Sequence, residues 1–324
     1  MTQQIAQDIG HDIHLIDLAE HGVYGRTGCY VIRGEKTALV DVGTSFARER
    51  ILSGIAELGL QPEDIDYVLI THIHLDHSAG LGYLLPLLPN ATVVCHPRAA
   101  RHLIDPARLL AGARAVYGDK LEAVFGEILP VPAERVVIRD DEETLDLGNG
   151  HFLTFYDTPG HARHHFSIHD PAADGIFTGD TVGLRFVPAL TGWDFTYLCA
   201  STSPSEFDRD AVMRSCDRLE QLNPARIYVA HFGAVEPASL AFARTRETAD
   251  AMDRLARDVY YPGMPWQGIA DKLREYILAD LAKLGHSVTD LSGLELDIEV
   301  SSKGLLYMLE KERLEKEHAA RMKK

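Results

Sequence analysis

What the chain lacks narrows its class before any motif is considered. Among 324 residues there are only four cysteines, Cys29, Cys95, Cys199 and Cys216, and no two stand in a C-x-x-C pair. That excludes a redox dithiol motif and a zinc ribbon, and predicts reduced, mostly buried thiols. No run of about 18 apolar residues occurs, so no membrane-spanning helix is expected. The segment Met1-Thr2-Gln3-Gln4 lacks the basic stretch and apolar core of a leader, and the expected location is the cytoplasm. Basic residues are in deficit: 32 Lys and Arg against 48 Asp and Glu give a formal net charge of −16. A phosphate backbone would meet a repelling average field, which excludes a broad nucleic-acid-binding surface and leaves anions only a local basic pocket. Internal repeats and compositionally biased tracts are also absent. With 46% hydrophobic and 25% charged residues, what is there is a globular chain long enough to bury a sizeable core.

Between Ile13 and Val42 short apolar runs, punctuated by glycine and charge, predict a series of antiparallel strands at 14–18, 29–32 and 37–42. The pattern then alternates. Helical spacing over 46–58, 81–88, 98–110 and 115–125 is interleaved with apolar strands at 67–70, 92–95 and 136–138, and further strands are expected at 152–156, 175–177 and 227–230. The class is α/β with a mixed sheet. Ser203-Pro204-Ser205-Glu206 has the form of a capping box with proline at the first helical position, which predicts a helix from there to about Leu222. Beyond Pro237 the strand signal fades, and helical periodicity over 239–260, 267–284 and 304–324 predicts a helical extension. The domain reading is a main unit over 1–235 and that extension over 236–324.

Chemistry concentrates in Thr71-His72-Ile73-His74-Leu75-Asp76-His77, three imidazoles and a carboxylate directly after the apolar strand at 67–70. Neutral imidazole and carboxylate suit zinc, iron or manganese, and the absence of cysteine from the set argues for a catalytic rather than a structural metal. Three more candidate ligands stand in the same context: His161 after Thr158-Pro159-Gly160, Asp180 after Thr178-Gly179, and His231 after Val229-Ala230. Ligand sites collect outside the carboxyl ends of strands in α/β sheets, so four strand ends can converge on one crevice. A solvated polar loop is the competing reading, and the density of ligand types argues against it. His164 and His165 follow His161 closely enough to orient it, touch substrate or simply pack. The aperiodic segment 185–201, with Trp193, Phe195 and Tyr197, reads either as a loop lining a pocket or as a loop packed on the helical extension. His165, Trp193 and Tyr197 are the candidate substrate contacts.

H-x-H-x-D-H at His72 to His77, then Gly160-His161, Gly179-Asp180 and His231, resemble the ordered ligand motifs of the metallo-β-lactamase superfamily over about the first 235 residues. The resemblance implies an αβ/βα four-layer sandwich with metals at one edge, catalytic over 1–235 and followed by the C-terminal helical extension. It implies two divalent metal ions, one held by His72, His74 and His161, the second by Asp76, His77 and His231, with Asp180 bridging. Zinc is the expected metal, and iron or manganese suit the same donors. Leu39-Val40-Asp41-Val42-Gly43-Thr44 is similar to the family's early strand and turn, where Asp41 would support the ligand loop rather than bind metal. All seven positions are filled, as in the binuclear glyoxalase II-like or thioesterase-like branch. There a metal-bridging hydroxide cleaves an ester, thioester or related acyl substrate, with Asp76 and Asp180 as the catalytic carboxylates.

The extension is similar to the extra helices that thioesterase-like members place over the cleft, which implies a small or slender substrate. Gly183 stands where lactonases of the superfamily often carry a tyrosine, a departure from the acyl-homoserine lactonase pattern. Phosphodiester hydrolysis on the same site is the alternative, and an iron-dependent oxidoreductase the more distant one. A regulatory protein with a vestigial site is the reading from another class. The expected partner is a small-molecule substrate, without nucleic acid or membrane, and the sequence leaves oligomeric state open, a homodimer included.

Overall fold

The apolar runs of the first 140 residues pair into a single sheet. Its strands are β1 (Ala6–Asp8), β2 (Ile13–Asp17), β3 (Gly28–Ile32), β4 (Thr37–Val40), β5 (Ile65–Ile70), β6 (Thr92–Cys95) and β7 (Val136–Ile138). They lie in sequence order in the computed structural model, which describes residues 4–202 and 205–322. Strands β1 to β4 are antiparallel hairpins, and β4 to β7 are parallel. The switch follows from the connections: helices Arg48–Glu57, Leu81–Leu84 and Pro97–Ile104 carry the chain back between strands, as parallel pairing requires.

The next strands are β8 (Thr144–Asp146), β9 (Phe152–Asp157), β10 (Phe166–Asp170), β11 (Gly175–Gly179), β12 (Leu184–Phe186), β13 (Tyr197–Cys199), β14 (Arg226–Val229) and β15 (Gly233–Val235). Six of them form a second sheet in the order β15-β14-β11-β10-β9-β8, while β12 and β13 make a separate two-stranded ribbon. Because β10 is antiparallel to β9 and to β11, and β14 is parallel to β11, strands β9, β11 and β14 all point the same way. Their carboxyl ends therefore share one edge.

Side-chain alternation sorts the core into layers. Ile13, Leu15, Tyr30, Ile32, Val40 and Leu69 of the first sheet meet Leu153, Phe155, Ile168, Phe177 and Tyr228 of the second. The opposite face of the first sheet, with Val31, Leu39, Val68 and Ile70, is covered by the helices at 48–57, 81–84 and 97–104. The opposite face of the second sheet packs on helices Arg209–Glu220, Ala238–Val259, Gln267–Lys283 and Glu295–Met322 through Val212, Phe242, Ile269 and Leu305. The result is the αβ/βα four-layer sandwich. Strands β3, β4 and β11 are buried on both faces, which is why they read as nearly continuous apolar runs. Each fully buried aliphatic side chain contributes about 1.5 to 3 kcal/mol.

Several boundaries depart from the sequence expectations. Strand β10 was not expected, because His169 and Asp170 interrupt its apolar run. The Asp170 carboxylate is fully buried and is held by His151 Nε2 at 2.8 Å and by the Ala172 and Ala173 amides. The expected helix at 98–110 is divided at Asp105-Pro106, since proline disfavours helix in the residue before it. Ser203 and Pro204 of the expected capping box lie outside the described residues. The helix there begins at Arg209 instead, capped by Asp208, which accepts from the Ala211 amide at 2.9 Å. The last helix starts at Glu295 rather than near Gly304. Among the described residues no helix is long and apolar enough to cross a membrane.

Candidate metal centre

Four strand ends deliver the seven candidate ligands. The segment 72–77 leaves β5, His161 follows β9 across a short turn, Asp180 directly follows β11, and His231 follows β14 by two residues. Two glycines make the approach feasible. At Gly160, φ is +135° and a Cβ would fall 2.5 Å from the Val212 backbone nitrogen; at Gly179, φ is +47° and a Cβ would fall 2.6 Å from His165 Nε2. Only a residue without Cβ lets the ligand turn sit against its neighbours there.

The ligand atoms converge in three overlapping groups, each with atoms within 4.8 Å of one another: His72, His74 and His161; His72, His77 and Asp180; Asp76, His77 and His231. His161 Nε2 stands 2.7 Å from His74 Nδ1 and 3.2 Å from His72 Nε2. Asp180 lies between the outer groups, with Oδ2 3.5 Å from His161 Nε2 and Oδ1 3.4 and 3.5 Å from the Nε2 atoms of His77 and His231. Asp76 Oδ2 faces His231 Nε2 at 3.4 Å and His77 Nε2 at 3.6 Å.

Supporting bonds aim the rings. Asp41 sits at φ +53° and uses its carboxylate to accept from the Thr71 amide (2.9 Å), the Thr71 hydroxyl (2.8 Å) and His77 Nδ1 (3.0 Å). His77 Nε2 is thereby directed at the cluster. His231 Nδ1 donates to the Arg26 carbonyl at 3.1 Å, and Ser201 donates to Asp180 Oδ2 at 3.3 Å.

The electrostatics divide the cluster. Burial, reinforced by neighbouring imidazoles, holds His72, His74 and His161 well below the usual histidine range, so they present neutral nitrogen lone pairs. Burial acts on His77 and His231 in the same direction, but adjacent carboxylates outweigh it. Asp76, Asp180 and Asp41 push His77 up to about 10, and Asp180 and Asp76 push His231 up to about 9. Among the described residues the buried atoms His77 Nε2 and Asp180 Oδ1 have no hydrogen-bond partner, although leaving such a group unsatisfied costs about 1 to 3 kcal/mol. Divalent cations fit this arrangement: they would meet the converging nitrogen and oxygen donors and satisfy the orphaned atoms by coordination.

The cluster opens into a cleft of about 580 Å³, with His74, Asp76, Asp180 and His231 on its floor. Apolar walls come from the helices at 107–125, through Val116, Tyr117 and Phe125, and from the last helix, through Leu296, Val300 and Tyr307. His164 also lines the cleft, its ring parallel to His72 with centroids 6.3 Å apart. His165 does not. It is fully buried, its Nδ1 lies 3.1 Å from the Thr158 and Thr181 hydroxyls, and its Nε2 accepts from the Asp180 amide. Tyr197 is turned away as well, buried against the C-terminal helices with its hydroxyl 3.0 Å from Asp280 Oδ2, and Trp193 stacks on Phe195. In the segment 185–201, Trp193, Phe195 and Tyr197 thus pack on the helical extension, and Ser201 alone lines the cleft. No sequence pattern marked the contributions of Arg26 or Ser201, since a carbonyl and a single hydroxyl carry no motif, and the place of the C-terminal helices over the cleft was implied by the resemblance alone.

Comparison with known proteins gives a consistent result. The profile of the metallo-beta-lactamase superfamily matches residues 25–231. A metallo-beta-lactamase fold-containing protein of Sulfurisphaera tokodaii is 31% identical over 212 residues, 64% of this chain and 73% of the relative. A probable metallo-hydrolase of Methanocaldococcus jannaschii is 28% identical over 195 residues, 59% of this chain and 84% of that protein. A diflavin flavoprotein of Synechocystis matches 48% of this chain at 29% identity, but the match spans only 23% of the flavoprotein. Among solved structures, an archaeal metallo-beta-lactamase superfamily protein from Sulfolobus tokodaii superposes with a TM-score of 0.63 at 25% identity, over 90% of this chain and 97% of that one. The flavodiiron core from Synechocystis, at 19% identity and a TM-score of 0.52 over 77% of this chain and 61% of that one, shares the fold.

Proposed function

The chain belongs to the metallo-β-lactamase superfamily and is a metallo-hydrolase of that kind, and from this premise we propose that it cleaves an ester, thioester or related acyl substrate at a two-metal centre. The observation that carries the choice of substrate is the cleft. Its walls above the ligand cluster are mainly apolar, through Val116, Phe125, Leu296 and Val300, which suits an acyl chain, although Arg26, Arg101 and Arg108 also line it.

In this reading His72, His74 and His161 would hold one ion, Asp76, His77 and His231 would hold the other, and Asp180 would reach both. Zinc is the first candidate, with iron or manganese suiting the same donors. Two divalent cations bound there would supply Lewis acidity and a water acidified toward neutral pH. The protein's own residues do the rest. Asp41 and the Arg26 carbonyl fix the tautomers of His77 and His231 so that each Nε2 points inward. His165 pins the Asp180 amide, and Ser201 steadies Asp180 Oδ2. His77, His231 and His74 overcome the effect of burial on Asp76 and keep it ionised at the cleft floor, where its carboxylate would orient an attacking water by accepting a hydrogen bond from it. Residues 1–235 carry the centre, and the helices of 236–324 exclude bulk water from it.

The likeness to flavodiiron proteins favours one competing reading, iron-dependent oxidoreduction. The deciding experiment is elemental analysis of protein purified without added metal, then reconstitution and assay on thioesters, lactones and phosphodiesters. About two equivalents of metal with metal-dependent acyl cleavage is the expected result. Oxygen uptake by an iron-loaded protein without hydrolysis would overturn it.

A further inference from the structure

Beside the metal cleft lies a second cavity of about 970 Å³, and Arg101, His102, His164 and Glu206 line both. Its character is opposite. The chain carries a formal net charge of −16, yet this cavity gathers Arg98, Arg101, Arg163, Arg214 and Lys311, none of which has a carboxylate ion-pair partner among the described residues. The acidic groups on the same wall are largely engaged elsewhere. Asp208 caps its helix, Asp210 accepts from Arg209 at 2.7 Å, and Asp253 and Glu312 hold Arg257 at 2.9 and 2.7 Å. Glu206 accepts from the Arg163 backbone amide at 2.8 Å. Glu315 alone among the wall carboxylates has no such engagement among the described residues.

Guanidinium groups without an ion-pair partner of their own keep donors that an anion with several oxygens can engage through bidentate hydrogen bonds. Seven cationic side chains line the recess against six carboxylates, so its net charge is small, but in a chain of formal net charge −16 five unpaired cations gathered beside the reactive centre are a local attractor for an anionic ligand.

We propose that this annex is a subsite for a phosphate group on the substrate. The substrate is then an acyl compound with two unlike arms: an apolar arm lies against Val116, Phe125 and Val300, and a phosphorylated arm reaches past His164 to Arg163 and Arg214. The scissile bond falls between them, over Asp76 and His231. This placing of the bond rests on the acyl-hydrolase reading; the anion subsite itself does not.

The test separates the two. S-hexyl pantetheine and S-hexyl phosphopantetheine, thioethers that cannot be hydrolysed, are titrated calorimetrically into the metal-loaded protein and into an Arg163→Gln/Arg214→Gln double variant. The phosphorylated ether is expected to bind wild type about tenfold tighter, and to lose most of that advantage in the variant and on raising salt from about 50 to 300 mM. The neutral ether should bind both proteins alike, which also establishes that the variant is folded. Equal affinity of the two ethers for wild type, an advantage that survives the double substitution, or binding of neither would overturn the proposal. Turnover of the matching hexanoyl thioesters is read separately. A phosphate preference in binding without turnover of either thioester defeats the acyl-hydrolase reading and leaves the subsite standing; turnover of both without preference does the reverse.

Discussion

At His77 one ring nitrogen is committed to Asp41 and the other faces the cluster without a hydrogen-bond partner among the described residues; at His231 Nδ1 is likewise committed, to the Arg26 carbonyl, while Nε2 faces Asp76 and Asp180. Such rings are held for a ligand they must meet at a fixed angle. His74→Ala removes a donor from the edge of the cleft, where the ring is only partly buried, so the fold should persist. Metal content of the purified variant should fall and hydrolysis should drop by at least about a hundredfold, while the urea midpoint of the metal-free protein stays close to wild type. Retained turnover would sink the proposed centre. The metal-free protein should also show a two-sided pH dependence. His77 and His231 have raised folded-state values, so the stability their ion pairs contribute is complete below the unfolded value near 6.5 and is lost as pH rises through about 9 to 10. His72, His74 and His161 have lowered values, so protonating them favours the unfolded chain as pH falls below about 6.5. Urea midpoints of chelator-treated protein from pH 5 to 10 should therefore peak near neutrality; a midpoint rising monotonically to pH 10 contradicts this assignment.

Elements separate what the sequence could convey from what it could not. Strands buried on both faces and ending in ligand residues were legible, because the apolar run, the glycine turn and the His or Asp follow one another locally, as at β11 with Gly179 and Asp180. Strand β10 was not, because its buried Asp170 depends on His151, a partner 19 residues away that no local pattern announces. Tyr197 shows the same limit. Its aromatic, aperiodic surroundings fit a pocket loop equally well, and only the long-range packing of β13 on helix Ala238–Val259 and Asp280 decides the matter. Asp280 is also held by Arg244, so Tyr197→Phe leaves that carboxylate paired. The substitution should cost about 0.5 to 1.5 kcal/mol in a urea titration and leave kcat/KM for an acyl substrate unchanged. A fall in kcat/KM at unaltered stability would return Tyr197 to the site.

For the molecule as a whole, the decisive arrangement is that the last helix belongs to two systems at once. Ile298, Leu305 and Leu309 are buried in the core shared with the second sheet, while Leu296, Val300 and Tyr307 face the cleft. Deleting the helix would remove core as well as wall, so truncation cannot separate stability from specificity. A substitution confined to the cleft face can. Val300 is partly buried and contributes to the wall of a cleft of about 580 Å³, so Val300→Phe adds bulk where the acyl arm is proposed to lie, without disturbing Leu305 or Leu309. Filling that wall should raise KM for a ten-carbon thioester by about tenfold or more, and leave KM for an acetyl thioester and kcat for both within about twofold, since lost uniform binding acts on KM alone. Equal effects on long and short chains would place the acyl arm elsewhere. A change in kcat without one in KM would mean that the helix governs the reacting geometry at Asp76 and His231 rather than the length of what is admitted.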